Sequence, residues 1–263
     1  GFDRKERTMP RFFVEEPVPA DARQLRLTGE DAHHIAAVLR MKEGQELVVC
    51  DGARSDLLCR IVQVSPGRID LQILSRSAND TEPPYAVLLY QGLAKGDRMD
   101  QVIQKAVELG VTRIIPVTCR RSVALVREQD RGKKVLRWNR IAAEAAKQCG
   151  RGVRPPVDEP VSFADCLARA AAADLALIPW EMERAKSIRA ELTVFQESLA
   201  GCAGNARPTI SLIIGPEGGL TEEEVEKAAK AGIRPVSLGR RILRTETAGP
   251  AVLAMILYQF EAF

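Results

Sequence analysis

Histidine is scarce in this chain. Only two of the 263 residues are histidines, and these two, His33 and His34, are adjacent. The six cysteines are scattered without a CxxC pair, so the usual zinc-site spacings are missing and we expect no metal. Scattered thiols are typical of a reducing compartment, and we expect a cytoplasmic protein. The longest apolar run, residues 251–258, is far shorter than the roughly 20 residues that span a bilayer, so we expect no membrane partner.

A large excess of charge of one sign is also missing, because the formal net charge is only +3. Any affinity for a polyanion must therefore come from local clustering. Residues 131–154 hold eight basic side chains and a single acidic one, Glu144. Such a run can be a solvated helix face, but the acids that usually alternate with the bases are missing, and we favour phosphate binding.

The first part of the chain, residues 9–75, has the pattern of short strands with a turn at Asp51-Gly52. One helix is predicted over residues 30–39, with Ile35, Val38 and Leu39 on its apolar side. This pattern predicts a small β-barrel. Residues 1–8, before Met9, are interpreted as a leader or a cloning remnant.

The pattern changes after a polar segment with two prolines, residues 76–84, which predicts a linker. Residues 85–263 alternate strand-like runs with helices, including helices predicted over 97–109 and 135–148. This alternation predicts an α/β domain whose parallel sheet is covered on both faces.

Two loops of the second part contain glycine and follow strand-like runs: IGPEGGL at 214–220, before a capping box at 221–224, and LGRRILRTETAGP at 238–250. The carboxyl ends of parallel strands meet at one sheet edge, where open α/β folds bind small ligands. The first loop has neither P-loop nor GxGxxG spacing. Its Glu217 would repel a phosphate but would suit a ribose hydroxyl or a cation.

The second loop places cations just before the last helix, where they oppose the helix dipole at a cost of about a few tenths of a kcal/mol each. Glu246 offsets part of this cost, and Thr245 or Thr247 is expected to cap the helix. A site that keeps this arrangement is suited to an anion. The cations are Arg240, Arg241 and Arg244.

The last helix, residues 248–263, is apolar nearly all round. A helix with this composition is buried on every side. It is either an internal core helix or part of a subunit interface.

Together these segments resemble a known family. With RFFV (11–14), HIAAVLR (34–40), KGDRMDQVIQKAVELGV (95–111) and EAAKQCGR (144–151), they are similar to the bacterial 16S ribosomal RNA uridine-N3 methyltransferases. That family belongs to the SPOUT, or trefoil-knot, class of S-adenosylmethionine (SAM) enzymes. The motifs occur in the family's order and cover nearly all of residues 9–263.

The resemblance implies a C-terminal parallel-sheet SPOUT domain with a deep trefoil knot, which no periodicity argument would propose. It also implies a small N-terminal PUA-like β-barrel that binds RNA, and a homodimer with SAM held in the knot. The residues that it implies at the cofactor are Pro179, Ile214, Gly215, Gly218, Gly219, Leu238, Gly239, Ile242, Leu243 and Thr245.

The substrate implied by the resemblance is a uridine of small-subunit ribosomal RNA, most naturally within the 30S subunit. Uridine N3 is a poor nucleophile until its proton leaves, so the site must stabilise negative charge on the base. We expect Arg244 to do this, with Glu217 or Glu246 orienting it or accepting the proton. The side chains expected to bind RNA phosphates are Arg11, Arg40, Arg120, Arg121, Arg151 and Arg154.

Other functions are compatible with parts of this pattern. A trefoil-knot methyltransferase could act on a ribose 2′-hydroxyl or on a transfer-RNA guanine. A non-catalytic RNA-binding factor for ribosome assembly is an alternative of another class, although the intact glycine and arginine loops disfavour it. An NAD-dependent enzyme is excluded by motif spacing.

Overall fold

A computed structural model describes residues 9–14, 16–52, 54–123, 126–200 and 207–261. The interpreted leader, residues 1–8, and Cys202 lie outside these ranges. None of the described helices is long and apolar enough to cross a bilayer.

The chain forms two compact units. The first consists of the described residues of Gly1–Glu82 together with Ala146–Arg154, and the second of those of Pro83–Ala145 and Pro155–Phe263. The first unit thus includes a segment from the middle of the chain, which sequence patterns gave no reason to place there.

The first unit is built on a five-stranded sheet with the order β1-β3-β4-β5-β2. β1 and β3 are parallel and the other pairs are antiparallel. The core between strands and helix includes Ile35, Leu47, Leu57 and Ile69, all with no exposed surface. The strands are β1 (Arg11–Phe13), β2 (Gln24–Thr28), β3 (Glu46–Cys50), β4 (Ser55–Ser65) and β5 (Arg68–Ala78).

The predicted helix over 30–39 is α1 (Gly29–His33) followed by a π-helical turn, His34–Val38. A π turn advances each residue by a smaller angle than an α turn. The apolar side predicted from α-helical spacing is therefore wrong: Ile35 is buried, but Val38 is 60% exposed. β5 also continues through Ala78, so it includes the start of the segment predicted as a linker.

The second unit contains a six-stranded sheet in the order β11-β9-β10-β6-β7-β8, and all its pairs are parallel. This confirms the predicted α/β class. Strand β10 is central, and Ile214 at its end lies opposite Gln91 of β6. The strands are β6 (Ala86–Gly92), β7 (Arg113–Thr118), β8 (Val161–Ser162), β9 (Leu175–Pro179), β10 (Thr209–Ile214) and β11 (Arg234–Val236).

One helix of this unit, Glu128–Cys149, is longer than the apolar pattern predicts. The helix predicted over 135–148 begins seven residues earlier, because the first two turns are polar and carry no periodicity. The helices are α2 (Arg98–Glu108), α3 (Glu128–Cys149), α4 (Phe163–Ala170), α5 (Ile188–Ala200), α6 (Glu222–Lys230) and α7 (Thr245–Phe260).

Helix α7 contacts α2, α5, β6 and β10. Its inner face is closed by Val252, Leu253 and Ile256, each at most 1% exposed. Tyr258, in contrast, is 81% exposed and Met255 36%. Burial of this helix on every side is therefore wrong for the single chain, because the helix packs on the unit with one face only.

Candidate functional site

The two glycine-containing loops line one cavity of about 290 Å³. The first loop connects β10 to α6 and the second connects β11 to α7, so both start at carboxyl ends of parallel strands, as predicted. The cavity is lined by Arg98, Pro179, Glu181, Ile214, Gly215, Pro216, Glu217, Gly218, Gly219, Leu220, Ile242, Leu243, Arg244, Thr245, Glu246 and Ala248.

Most residues expected at a cofactor lie in this lining, but two do not. Leu238 and Gly239 belong to the second loop and are not part of the cavity wall. Ile242 is a wall residue and is 83% exposed.

Gly92, at the end of β6, lets the first loop approach the sheet. A Cβ atom on this residue would lie 2.5 Å from the nitrogen of Pro216 and 2.8 Å from the carbonyl carbon of Gly215. These neighbours are backbone atoms that cannot swing aside. The position of the cavity wall therefore depends on a glycine in the neighbouring strand.

The first loop is fixed at its far end by the predicted capping box. Thr221 Oγ1 accepts a hydrogen bond from the Glu224 backbone N–H (3.2 Å), and Glu224 Oε2 accepts one from the Thr221 N–H (2.9 Å). The other carboxylate oxygen accepts from the Arg120 backbone N–H (2.8 Å). The box thus ties the loop after β7 to the start of α6.

Thr245 joins the two loops, although it does not cap α7 as expected. The N-cap is Arg244, and its side chain makes no capping hydrogen bond. Thr245 Oγ1 instead donates to the carbonyl oxygen of Gly215 (2.7 Å) and accepts from Gln91 Nε2 (2.8 Å). Thr245 is the first residue of α7, and its hydroxyl group points back to the first loop.

Two carboxylates of the wall are held by one guanidinium group that sequence reasoning missed. Arg98 Nη1 donates to Glu217 Oε1 (2.9 Å), and Arg98 Nε lies 3.6 Å from Glu246 Oε1. The Lys95 backbone N–H donates to the same Glu217 oxygen (2.7 Å). Burial raises the pKa of Glu217, but the hydrogen bonds from Lys95, from its own N–H and from Arg98 outweigh burial and lower it. Glu217 is therefore a stable carboxylate anion and a weak base.

Arg244 differs from Arg98, because its side chain is exposed and forms no ion pair within the described part of the chain. It lies in the cavity wall beside Thr245. Arg240 and Arg241 are exposed and do not line the cavity. Of the three arginines of the second loop, Arg244 is the one placed to meet a bound molecule.

The side chains expected to bind RNA phosphates fall into two groups. Arg11 Nη1 lies 2.6 Å from Asp56 Oδ1, and Arg151 Nη2 lies 2.6 Å from Glu82 Oε2, with both side chains of the second pair at most 5% exposed. A buried, paired guanidinium is not available to a phosphate, so the structure contradicts Arg151 as a surface ligand and gives Arg11 a structural partner.

The remaining four are more accessible. Arg40 is exposed, with φ of 51°, and Arg154 lies over the Phe13 ring at 5.4 Å from its centroid. Arg120 pairs with Glu223 but keeps a 67% exposed side chain. Arg121 Nη1 donates to the carbonyl oxygen of Gly218 (3.2 Å), so it supports the first loop.

The basic run 131–154 also has acidic partners from elsewhere in the chain. Lys147 pairs with Asp31 at 2.9 Å, and Arg137 pairs with Asp100. The run therefore carries less free positive charge than its sequence suggests.

Two family models match the chain. One described as an RNA methyltransferase domain matches residues 81–257, and one described as an RNA methyltransferase PUA domain matches residues 27–74. Together they include both loops of the cavity and most of the first sheet.

Relatives that align over nearly their full length are also named as RNA methyltransferases. A ribosomal RNA small subunit methyltransferase E from Bacillus subtilis is 34% identical over 96% of this chain and 98% of its own length. The crystal structure of the enzyme of that name from Neisseria gonorrhoeae, bound to S-adenosyl methionine, is 31% identical with a TM-score of 0.82 and covers 96% and 98% of the two chains. A Legionella pneumophila structure with bound SAM has the same identity and TM-score and covers 95% and 97%. The chain therefore belongs to the RNA methyltransferase family that includes the ribosomal RNA small subunit methyltransferases E, with a PUA domain before the methyltransferase domain.

Proposed function

We propose that this protein transfers a methyl group from SAM to N3 of a uridine in small-subunit ribosomal RNA. The observation that carries the proposal is the cavity between the two loops, which has a net negative wall and one unpaired guanidinium group, Arg244, at its side. The relatives with bound SAM support the cofactor, and their names support the class of RNA.

The charges of the wall fit this cofactor. Three carboxylates (Glu181, Glu217 and Glu246) face two guanidinium groups (Arg98 and Arg244), which gives the wall a net charge of −1. SAM carries a sulfonium, an ammonium and a carboxylate group, so it is a net cation. A cation is favoured in a cavity of opposite net charge, whereas a nucleotide phosphate is disfavoured.

Backbone groups of the two loops would hold most of the cofactor, with Gly215 and Gly219 allowing close approach and Leu243 supplying apolar contact. When bound, SAM supplies an electrophilic methyl group. Glu181, which has no ion pair among the described residues, would accept hydrogen bonds from the cofactor's hydroxyl or ammonium groups.

The reacting base needs help to lose its N3 proton and to carry the resulting negative charge. Arg244 is exposed and unpaired, so its guanidinium can donate to a uracil oxygen as that charge develops. Glu217 is a poor proton acceptor because its pKa is lowered and two donors occupy one of its oxygens. We assign the role of orienting Arg244 or accepting the proton to Glu246, whose one ion pair among the described residues is the longer contact with Arg98.

RNA phosphates would be bound by the accessible basic side chains. Arg40 and Arg154 of the first unit are exposed. Lys133 and Lys134 of α3 form no ion pair within the described ranges. Such contacts position an RNA without reading its sequence, and each one adds to the salt dependence of binding.

We further propose that the protein is a cytoplasmic homodimer with a trefoil knot and that it acts on the assembled 30S subunit. The exposed side of α7, with Met255 and Tyr258, supplies the apolar surface that an interface between two copies requires. Sedimentation velocity tests the dimer: we expect a species of twice the 28.9 kDa chain mass, and a monomer at micromolar concentration would contradict it.

The reaction is tested by transfer of a tritiated methyl group from SAM to 30S subunits and to protein-free RNA from cells that lack the enzyme. Digestion to nucleosides and mass spectrometry then identify the product. We expect N3-methyluridine. A methylated ribose or guanine would contradict the assignment of the position, and no incorporation into either RNA would contradict the enzymatic function.

A further inference from the structure

Gln91 is a fully buried polar residue just behind the cavity. It precedes Gly92 at the end of β6, lies opposite Ile214 of β10, and has no exposed surface. It does not belong to the cavity wall, so it cannot touch a molecule bound there. Any effect that it has on a ligand must pass through its neighbours.

The hydrogen bonds determine the orientation of its amide group. Nε2 donates to the Gly92 carbonyl oxygen (3.1 Å) and to Thr245 Oγ1 (2.8 Å). A carbonyl oxygen can only accept, so the Thr245 hydroxyl must donate its single hydrogen to the Gly215 carbonyl (2.7 Å). Gln91 is thus the donor at the start of a directed chain that ends on the first loop.

This arrangement leaves the other end of the amide without a partner. Gln91 Oε1 is buried and accepts no hydrogen bond from the described residues. A buried acceptor without a donor costs stability, and an apolar side chain of similar size would avoid this cost. The donor end must therefore provide something that an apolar side chain cannot.

We infer that Gln91 is a positioning residue for the cofactor site: it orients the Thr245 hydroxyl, which holds the Gly215 carbonyl, so that the two loops keep one spacing. The chain Gln91–Thr245–Gly215 links the end of β6, the start of α7 and the loop after β10. The inference rests on the proposed function, because it concerns the binding of SAM in that cavity.

Calorimetric titration of SAM into the full chain tests the inference with variants Gln91→Met, Thr245→Val and Thr245→Ser. Gln91→Met keeps the length of the side chain but removes both donors, and we expect Kd to rise about tenfold, which is about 1.4 kcal/mol and the scale of one net hydrogen bond. Thr245→Val should have a similar effect, whereas Thr245→Ser, which keeps the hydroxyl, should bind within about twofold of the wild type.

Because both residues act in one chain of hydrogen bonds, their effects on SAM affinity should not multiply. The double variant Gln91→Met/Thr245→Val should bind SAM no more than about twofold more weakly than the single variant with the lower affinity. A loss of about a hundredfold, the product of two independent effects, would overturn the inference. Ser211→Ala removes another fully buried polar side chain from the adjacent strand and serves as the matched control. Its Kd should stay at the wild-type value.

The failure of this inference and of the proposed function can be told apart. Wild-type binding together with unchanged affinity in Gln91→Met would overturn the positioning role alone. Absence of SAM binding by the wild-type chain would overturn both. If Gln91→Met does not fold, the comparison of Thr245→Val with Thr245→Ser decides, and equal affinities would overturn the role of the hydroxyl.

Discussion

Replacement of Gly92 by alanine is the perturbation whose effect follows most directly from the geometry. The added Cβ would lie 2.5 Å from Pro216 N, 2.8 Å from Gly215 C and 2.8 Å from Pro216 Cδ. All three atoms belong to the backbone or to a proline ring, so the first loop must move as a body. Forcing a methyl group into a packed site of this kind costs about 1–3 kcal/mol of unfolding free energy.

The matched control is Gly132→Ala in helix α3. A Cβ there meets no atom within 4 Å, and the φ angle of Gly132 is not in the left-handed region. This substitution should therefore stabilise the protein by about 0.5–1 kcal/mol, the usual gain from alanine over glycine inside a helix. The two variants add the same methyl group with opposite expected signs.

Urea unfolding followed by circular dichroism measures both changes, and calorimetry measures SAM affinity in the folded proteins. We expect Gly92→Ala to lose both stability and at least tenfold in affinity, about 1.4 kcal/mol, because the loop that it displaces is a wall of the cavity. Unchanged stability and SAM affinity in Gly92→Ala would refute the packing of the loop against β6.

Three further outcomes are expected. Arg244→Ala should abolish methyl transfer while SAM affinity stays within about threefold in calorimetry, because the side chain is unpaired and we propose that it acts on the base; normal turnover would remove its role. Arg98→Met should raise the pKa of Glu217. As the solution is acidified, the SAM affinity of this variant should therefore begin to fall at a higher pH than that of the wild type, and identical pH profiles of the two proteins would contradict this. Arg151→Met should destabilise the first unit by about 3–5 kcal/mol in urea unfolding, because it leaves Glu82 buried without its cation; a loss of RNA affinity with unchanged stability would restore its surface role.

The sign of the pH effect follows from the direction of the shift. A carboxylate attracts a cationic cofactor only while it is ionised, so its contribution to SAM affinity is lost as the pH falls through its pKa in the folded protein. Arg98→Met removes one of the donors that lower the pKa of Glu217. The carboxylate then becomes neutral earlier in an acid titration.

Local signals in the sequence predicted much of the fold and the two loops that line the cavity. Alternation of strands and helices predicted the parallel sheet, and the position of both loops after strands predicted that they would meet at one edge. The capping box at 221–224 and the glycine-containing first loop could also be predicted, because each is formed by residues that are close in sequence.

Contacts between distant residues could not be predicted in this way. Arg98 meets Glu217 across 119 positions of the chain, and Gln91 meets Thr245 across 154. A run of basic residues does not reveal that Glu82 lies opposite Arg151. The sequence pattern therefore predicted where the loops lie. The side chains that pair with their charged groups and fix their spacing could be identified only in the folded structure.

The central claim is that SAM binds between the loop after β10 and the loop before α7, and a crystal structure of the full chain grown with saturating SAM tests it most directly. We expect electron density for SAM in contact with the glycines of the first loop and with residues 242–245 of the second. Density for SAM at another place, or an empty cavity in a crystal that leaves it open to solvent, would contradict the account.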